Sequence, residues 1–187
     1  AQYEDVSEAT HTCMLVGLIS GFFVMVVGVV CTPAILRLMD TPDDVLPLAI
    51  LYLRIYFLGM IPQMLYNMGT NILRAIGDSK RPLYFLIAAS LVNIVLDVVF
   101  IAVFGWGVMG AALATVLSQV VSAVLVMMTL CRSPQVYRVQ LKKIRFYGDM
   151  LVRIVRIGLP AGLQSVMYSL SNICLLYTSP SPRDYAA

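Results

Sequence analysis

Long stretches of this chain carry no charge. Residues 12 to 36, 55 to 73, 108 to 131 and 157 to 182 contain no Asp, Glu, Lys or Arg, and residues 83 to 104 contain only Asp97. A helix needs about 20 mostly apolar residues to cross roughly 30 Å of hydrocarbon at 1.5 Å per residue. Lipid offers no water to the backbone, so each segment must close its own hydrogen bonds as a helix. The whole chain agrees, with 60% hydrophobic and 12% charged residues, against about a quarter charged in soluble domains. The pattern predicts an all-α polytopic membrane protein with spans at about 12–36, 45–73, 83–104 and 108–131, and a fifth starting near Ile157.

One stretch could argue for a soluble enzyme instead. "FGWGVMGAALAT" holds Gly105, Gly107 and Gly110 in a G-x-G-x-x-G pattern. A dinucleotide turn follows a short strand and needs an acid about 20 residues later for the ribose. Here an apolar run of span length precedes it, and no Asp or Glu occurs between Asp97 and Asp149. Gly105 and Gly107 therefore read as a tight corner between two antiparallel spans. Gly107, Gly110, Ala111 and Ala114 form small-xxx-small pairs that let helices approach closely. Trp106 stands at the corner, where interfacial aromatics collect.

Basic residues set the orientation. Arg74, Lys80 and Arg81 lie in one connection, and seven basic residues lie between Arg132 and Arg156. The connection at 37–44 has only Arg37, and the Gly105–Gly107 corner has none. Cytoplasmic loops are the basic ones, so "RAIGDSKRP" and 132–156 face the cytoplasm. The stretch "QLKKIRFYGDMLVRIVRIG" is amphipathic and suits the membrane surface, with a solvated linker the alternative for residues 132–140. The net charge of +3 is thus topological and implies no nucleic-acid partner. Cys13, Cys31, Cys131 and Cys174 lack C-x-x-C spacing and lie in or beside spans, as small hydrophobes do. His11 stands alone at a span's edge, without the partners a metal needs.

The polar residues inside spans carry the functional signal. A central Asp costs about 2.5–3.5 kcal/mol to insert, and intramembrane acids mark ion or proton paths. Ser90, Asn93 and Asp97 share one helix face. Thr115, Ser118, Gln119 and Ser122 share a face of the next span, which the short corner makes a neighbour. Burial favours the protonated form of a carboxylate and a nearby cation favours the charged form, so such a group can exchange a proton for a cation. Hard cations prefer these oxygens. The bland alternative makes Asp97 and Asn93 interhelical hydrogen-bond partners only. On the preceding span Gln63, Asn67, Thr70 and Asn71 recur at helical spacing, serving either bundle packing or a substrate cavity. Pro62 can kink that span. Tyr52, Arg54 and Tyr56 lie near its outer end, where Arg54 can snorkel to water.

The stretches "YLRIYFLG", "LRAIGDSKRPLYF", "NIVLDVVFI", "GWGVMGAALATVLSQ" and "IGLPAGLQS" resemble the multidrug and toxic compound extrusion (MATE) family in order and spacing. The likeness spans roughly residues 1 to 176. It implies helices three to seven of a twelve-helix fold built as two six-helix lobes. Residues 1–131 would be part of the first lobe, 132–156 the linker and 157–176 the start of the second. The end "YTSPSPRDYAA" breaks the apolar pattern, and 177–187 is expected to be foreign to the fold. The resemblance implies an antiporter, not an enzyme, in a bacterial plasma membrane. It would be driven by H⁺ or Na⁺, need no cofactor, export small organic and often cationic compounds, and be monomeric at full length. Asn93, Asp97 and Thr115 match a family cation site, the only place a metal ion (Na⁺) is expected. A further Asp of that site belongs to the family's first helix. Tyr52 matches a cavity tyrosine, and Ser90, Asn67 and Gln119 are candidate cavity lining. Another branch carries an embedded Glu two turns after the proline matched by Pro160, where this chain has Tyr168; that favours coupling in the first lobe.

The rival readings are a lipid-linked precursor flippase of related architecture, a membrane-embedded enzyme, and a receptor or scaffold. A flippase cavity would be more cationic, and only Arg54 lies within a span. A metal-dependent lipid enzyme needs several acids together, and the spans hold one.

Overall fold

The computed structural model describes residues 2–132 and 148–178. The helices are α1 (Gln2–Leu38), α2 (Leu46–Leu58), α3 (Met60–Ala75), α4 (Lys80–Asp97), α5 (Gly107–Arg132) and α6 (Gly148–Thr178), with a π-helical turn at Val98–Val103 after α4. Four are long and apolar enough to cross a membrane, and α2 with α3 makes a fifth candidate bent by 46°. Residues 1–146 and 147–187 form two separate units. In the first, α5 packs against α2, α3 and α4, and α1 packs against α2 and α3. The second contributes α6, which contains Pro160.

The large exposed apolar surface of the first unit follows from its solvent. Phe23, Leu91 and Val103 are more than half exposed, an arrangement that lipid tolerates and water penalises. What is buried is small or tightly fitted. Ala112 and Ala114 on α5 are fully covered. At Gly69 a Cβ would collide with the Val126 side chain, so glycine lets α3 and α5 touch. The core lies near the basic ends of these helices and joins Met14, Leu73, Val126 and Leu130, with Phe85 and Cys131 packed against it.

Several boundaries differ from the hydropathy pattern. α1 begins at Gln2, ten residues before the charge-free run. Thr10, His11 and Thr12 are buried in it, because each polar side chain bonds a carbonyl one turn back. Thr10 and Thr12 donate to Val6 O and Glu8 O at 2.8 Å, and His11 Nδ1 lies 2.7 Å from Ser7 O. His11 thus sits inside α1, near the start of the candidate span Val6–Leu38. The 45–73 span breaks at Gly59, not at Pro62. Proline clashes with the carbonyl four residues back, here that of Leu58, so the helix gives way at 58–59 and Pro62 falls in the first turn of α3, where it is tolerated. α6 begins at Gly148 and runs without interruption through Ile157. Residues 133–147 of the expected linker, which include the first part of the amphipathic stretch, and positions 179–187 of the expected foreign tail fall outside the described residues.

The glycine corner forms as the sequence suggests. Gly105 and Gly107 have φ of 67° and 52°, values favoured by glycine. The Trp106 amide donates to Phe100 O at 2.9 Å, and the Trp106 ring lies 5.2 Å from Phe100 and 5.3 Å from Phe104. In the basic turn, Gly77 has φ 86°. Asp78 accepts the Arg81 amide at 3.2 Å and pairs with its guanidinium at 3.2 Å, which fixes the start of α4.

Candidate functional site

Helical repeat on α4 puts Ser90, Asn93 and Asp97 on one side, and α4 lies against α5. Asp97 is the last residue of α4. Beyond it the backbone widens, and the Phe104 amide reaches Val99 O at 3.0 Å. Such π-helical turns recur at functional sites. Asn93 and Asp97 are both half-buried. Among the described residues, Asn93 Nδ2, Asp97 Oδ1 and Gln119 Oε1 are buried side-chain atoms with no hydrogen-bond partner. A buried polar atom left unpaired costs about 1–3 kcal/mol, and more when charged. Three on adjoining helices mark a place that the described residues leave incomplete.

On α5 the hydroxyls are partly spent. Thr115 donates to Ala111 O at 3.0 Å, Ser118 to Thr115 O at 2.7 Å and Ser122 to Gln119 O at 2.9 Å. Their protons point back along the helix, leaving oxygen lone pairs to accept from, or ligate, a guest.

A pocket of about 170 Å³ opens between α3, α4 and α5, with Gln63, Tyr66, Ser90, Asn93, Gln119 and Ser122 in its wall. The structure therefore brings Ser90, Asn93 and Gln119 together. Asp97 stands one helical turn from Asn93 and, like Thr115 and Asn67, is not part of that wall. Thr115 lies one turn before Gln119 on α5. Asn67 is half-buried on α3, where its carbonyl accepts from Thr70 at 3.1 Å. Tyr52 lines a separate apolar pocket with Leu48 and Val108 and stacks on Tyr56 at 6.4 Å. Gln119 also abuts the α2–α3 break, because a Cβ at Gly59 would meet its Oε1.

Tyr66 is the wall residue with a polar group that sequence reasoning missed, beside the apolar Leu86 and Ala89. Its hydroxyl donates to Pro82 O at 3.4 Å, tying α3 to α4. It lies three positions after Gln63, so the same helical repeat that picked out Asn67 also reaches it; its aromatic ring reads as core until the partner helix is placed.

A family model described as MatE matches residues 1–99. The chain belongs to the MatE family. Among its relatives, the probable multidrug resistance protein YpnP of Bacillus subtilis (strain 168) is 37% identical over 182 residues, covering 92% of this chain and 38% of that protein. The probable multidrug resistance protein YoeA of the same organism is 33% identical over 181 residues, covering 92% of this chain and 39% of that protein. A solved outward-facing multidrug resistance MATE family transporter of the MOP superfamily superposes with a TM-score of 0.82 at 29% identity, over 91% of this chain and 38% of that one. The chain thus spans under two fifths of the length of these relatives. MatE membership and the long apolar helices make it a multi-pass integral membrane protein of the cell membrane, with a partial all-α MATE fold.

Proposed function

We propose that these residues form part of a cation-coupled antiporter, driven by H⁺ or Na⁺, that exports small organic and often cationic compounds. Residues 1–131 belong to its first lobe, 132–156 to the linker and 157–176 to the second lobe. The observation that carries the reading is Asp97 Oδ1, a carboxylate oxygen buried in an apolar bundle without a partner among the described residues. A proton or a cation relieves that cost. Asn93 and Thr115 supply the neighbouring amide and hydroxyl oxygens, and the coupling ion and a cationic substrate compete for Asp97. Each shifts the transporter between its inward- and outward-open states only by its differential affinity for the two.

The flippase alternative expects a cationic cavity. Among the described residues no basic side chain lines the pocket, and Arg54, a basic residue within the bent α2–α3 span, is engaged with the backbone of α1. The test is export by the full-length protein carrying Asp97→Asn, measured against imposed H⁺ and Na⁺ gradients. Loss of gradient-driven export is expected. Export with unchanged ion dependence removes Asp97 from the coupling role.

A further inference from the structure

The pocket between α3, α4 and α5 combines features that a metal ion alone does not satisfy. Two of the orphaned buried atoms belong to its wall: Asn93 Nδ2 is a donor and Gln119 Oε1 an acceptor. Each amide carries both an acceptor oxygen and N–H donors, and a bare cation would complement the oxygens and leave the donors unsatisfied. Water does both, and a buried water typically makes about three hydrogen bonds to otherwise unsatisfied groups. The volume of about 170 Å³ is more than ten times the roughly 10–15 Å³ that one water needs. Ser118 and Ser122 spend their protons on Thr115 O and Gln119 O, so they offer the pocket further acceptors.

The pocket also has a direction. Along α4, Asn93 and Ser90 lie one and two turns from Asp97 toward Lys80, the end marked by Arg74, Lys80, Arg81 and Arg132. Further that way on α5 come Val126 and Leu130, which meet Leu73 and Met14 with 0–1% exposure.

We infer that this pocket is a hydrated chamber, holding a cluster of waters that bridges Asn93, Gln119 and Ser122, and that the dry contact of Leu73, Val126 and Leu130 closes it at the basic end. The chamber would be the inner half of the coupling ion's route past Asp97. That role rests on the proposed reading of Asp97, whereas the hydration rests on the pocket alone.

Thiol accessibility separates the two, because a cysteine reacts as its thiolate and the thiolate needs water. The full-length protein, with its native cysteines replaced and export retained, is assembled in membrane vesicles. Single variants Ser90→Cys, Ser122→Cys, Val124→Cys and Val126→Cys are treated with a small cationic methanethiosulfonate, with Ser79→Cys in the basic turn as the aqueous reference. Ser90→Cys on α4 and Ser122→Cys on α5 are expected to react at least about tenfold faster than Val124→Cys on the apolar surface and Val126→Cys in the dry contact. Equal rates at Ser90→Cys, Ser122→Cys and Val124→Cys would overturn the hydration. A Val126→Cys rate matching Ser122→Cys would overturn the closure. The series is repeated in Asp97→Asn. Fast labelling there, together with export of unchanged ion dependence, would leave the chamber standing and remove the coupling role alone.

Discussion

Arg54 Nε donates to the backbone carbonyl of Val29 at 3.3 Å, and Pro33 is the reason that carbonyl is available. Proline has no amide hydrogen, so the carbonyl four residues earlier loses its helical partner. Val29 stands four residues before Pro33 inside α1. An arginine from α2 fills the gap. Arg54 is thus a clamp between two helices, where composition alone suggests snorkelling.

The clamp makes a coupled prediction. Arg54→Met is expected to lower the stability of the full-length protein by about 1 kcal/mol, the usual worth of one hydrogen bond. Pro33→Ala returns a helical partner to Val29, so in that background Arg54→Met should do little harm. Thermal unfolding in detergent measures the cycle, with a coupling of about 0.6–1.7 kcal/mol expected for a polar contact between membrane helices. Simple additivity of the two losses would rule the clamp out.

Gly69 should tolerate no side chain while Val126 faces it. A Cβ at Gly69 would overlap the Val126 side chain and crowd Leu130. Overpacking of this kind costs about 1–3 kcal/mol. Gly69→Ala is therefore expected to destabilise the bundle, and Val126→Ala to recover part of the loss when combined with it. Unfolding of the single and double variants decides the point.

The corner at Trp106 is held by its rings. Trp106→Ala removes two aromatic contacts, to Phe100 and Phe104, each worth about 0.5–1.5 kcal/mol beyond burial. Trp106→Phe should keep most of that stability. An equal drop in melting temperature for both variants would assign the loss to something other than ring contact.

At the candidate coupling site the effects should be graded. Thr115 offers only a neutral lone pair, since its proton is on Ala111 O. Thr115→Ala is expected to raise the half-saturating concentration of the coupling ion by about fivefold, the equivalent of roughly 1 kcal/mol. Asp97→Asn should abolish the ion dependence. Loss of coupling in Thr115→Ala as complete as in Asp97→Asn would contradict this division of roles.

The helices and their medium were legible from the sequence because both depend on local quantities. Span length follows from the run between charges, and the corner follows from two glycines and a tryptophan. The polar face of α4 was legible for the same reason, since Ser90, Asn93 and Asp97 are spaced by the helix itself. The break at Gly59 was half legible: Pro62 announced a disturbance, and the carbonyl it displaces placed that disturbance four residues earlier. The π-helical turn after Asp97 gave no warning, because Val98–Val103 is as apolar as any other span end. Tyr66 was missed because its partner, the carbonyl of Pro82, lies on another helix.

Charge spacing and hydrophobicity alone determined that this chain lives in lipid, crosses it repeatedly, and carries one acid where acids are expensive; each is a property of a residue and its near neighbours along the chain. Only the tertiary structure decided that Arg54 serves Val29, that Tyr52 turns to an apolar pocket away from Asn93, and that Asn93, Gln119 and Ser122 share one wall. Those meetings depend on where helices cross and bend, and crossings are set by the summed packing of side chains far apart in sequence, which no local pattern encodes.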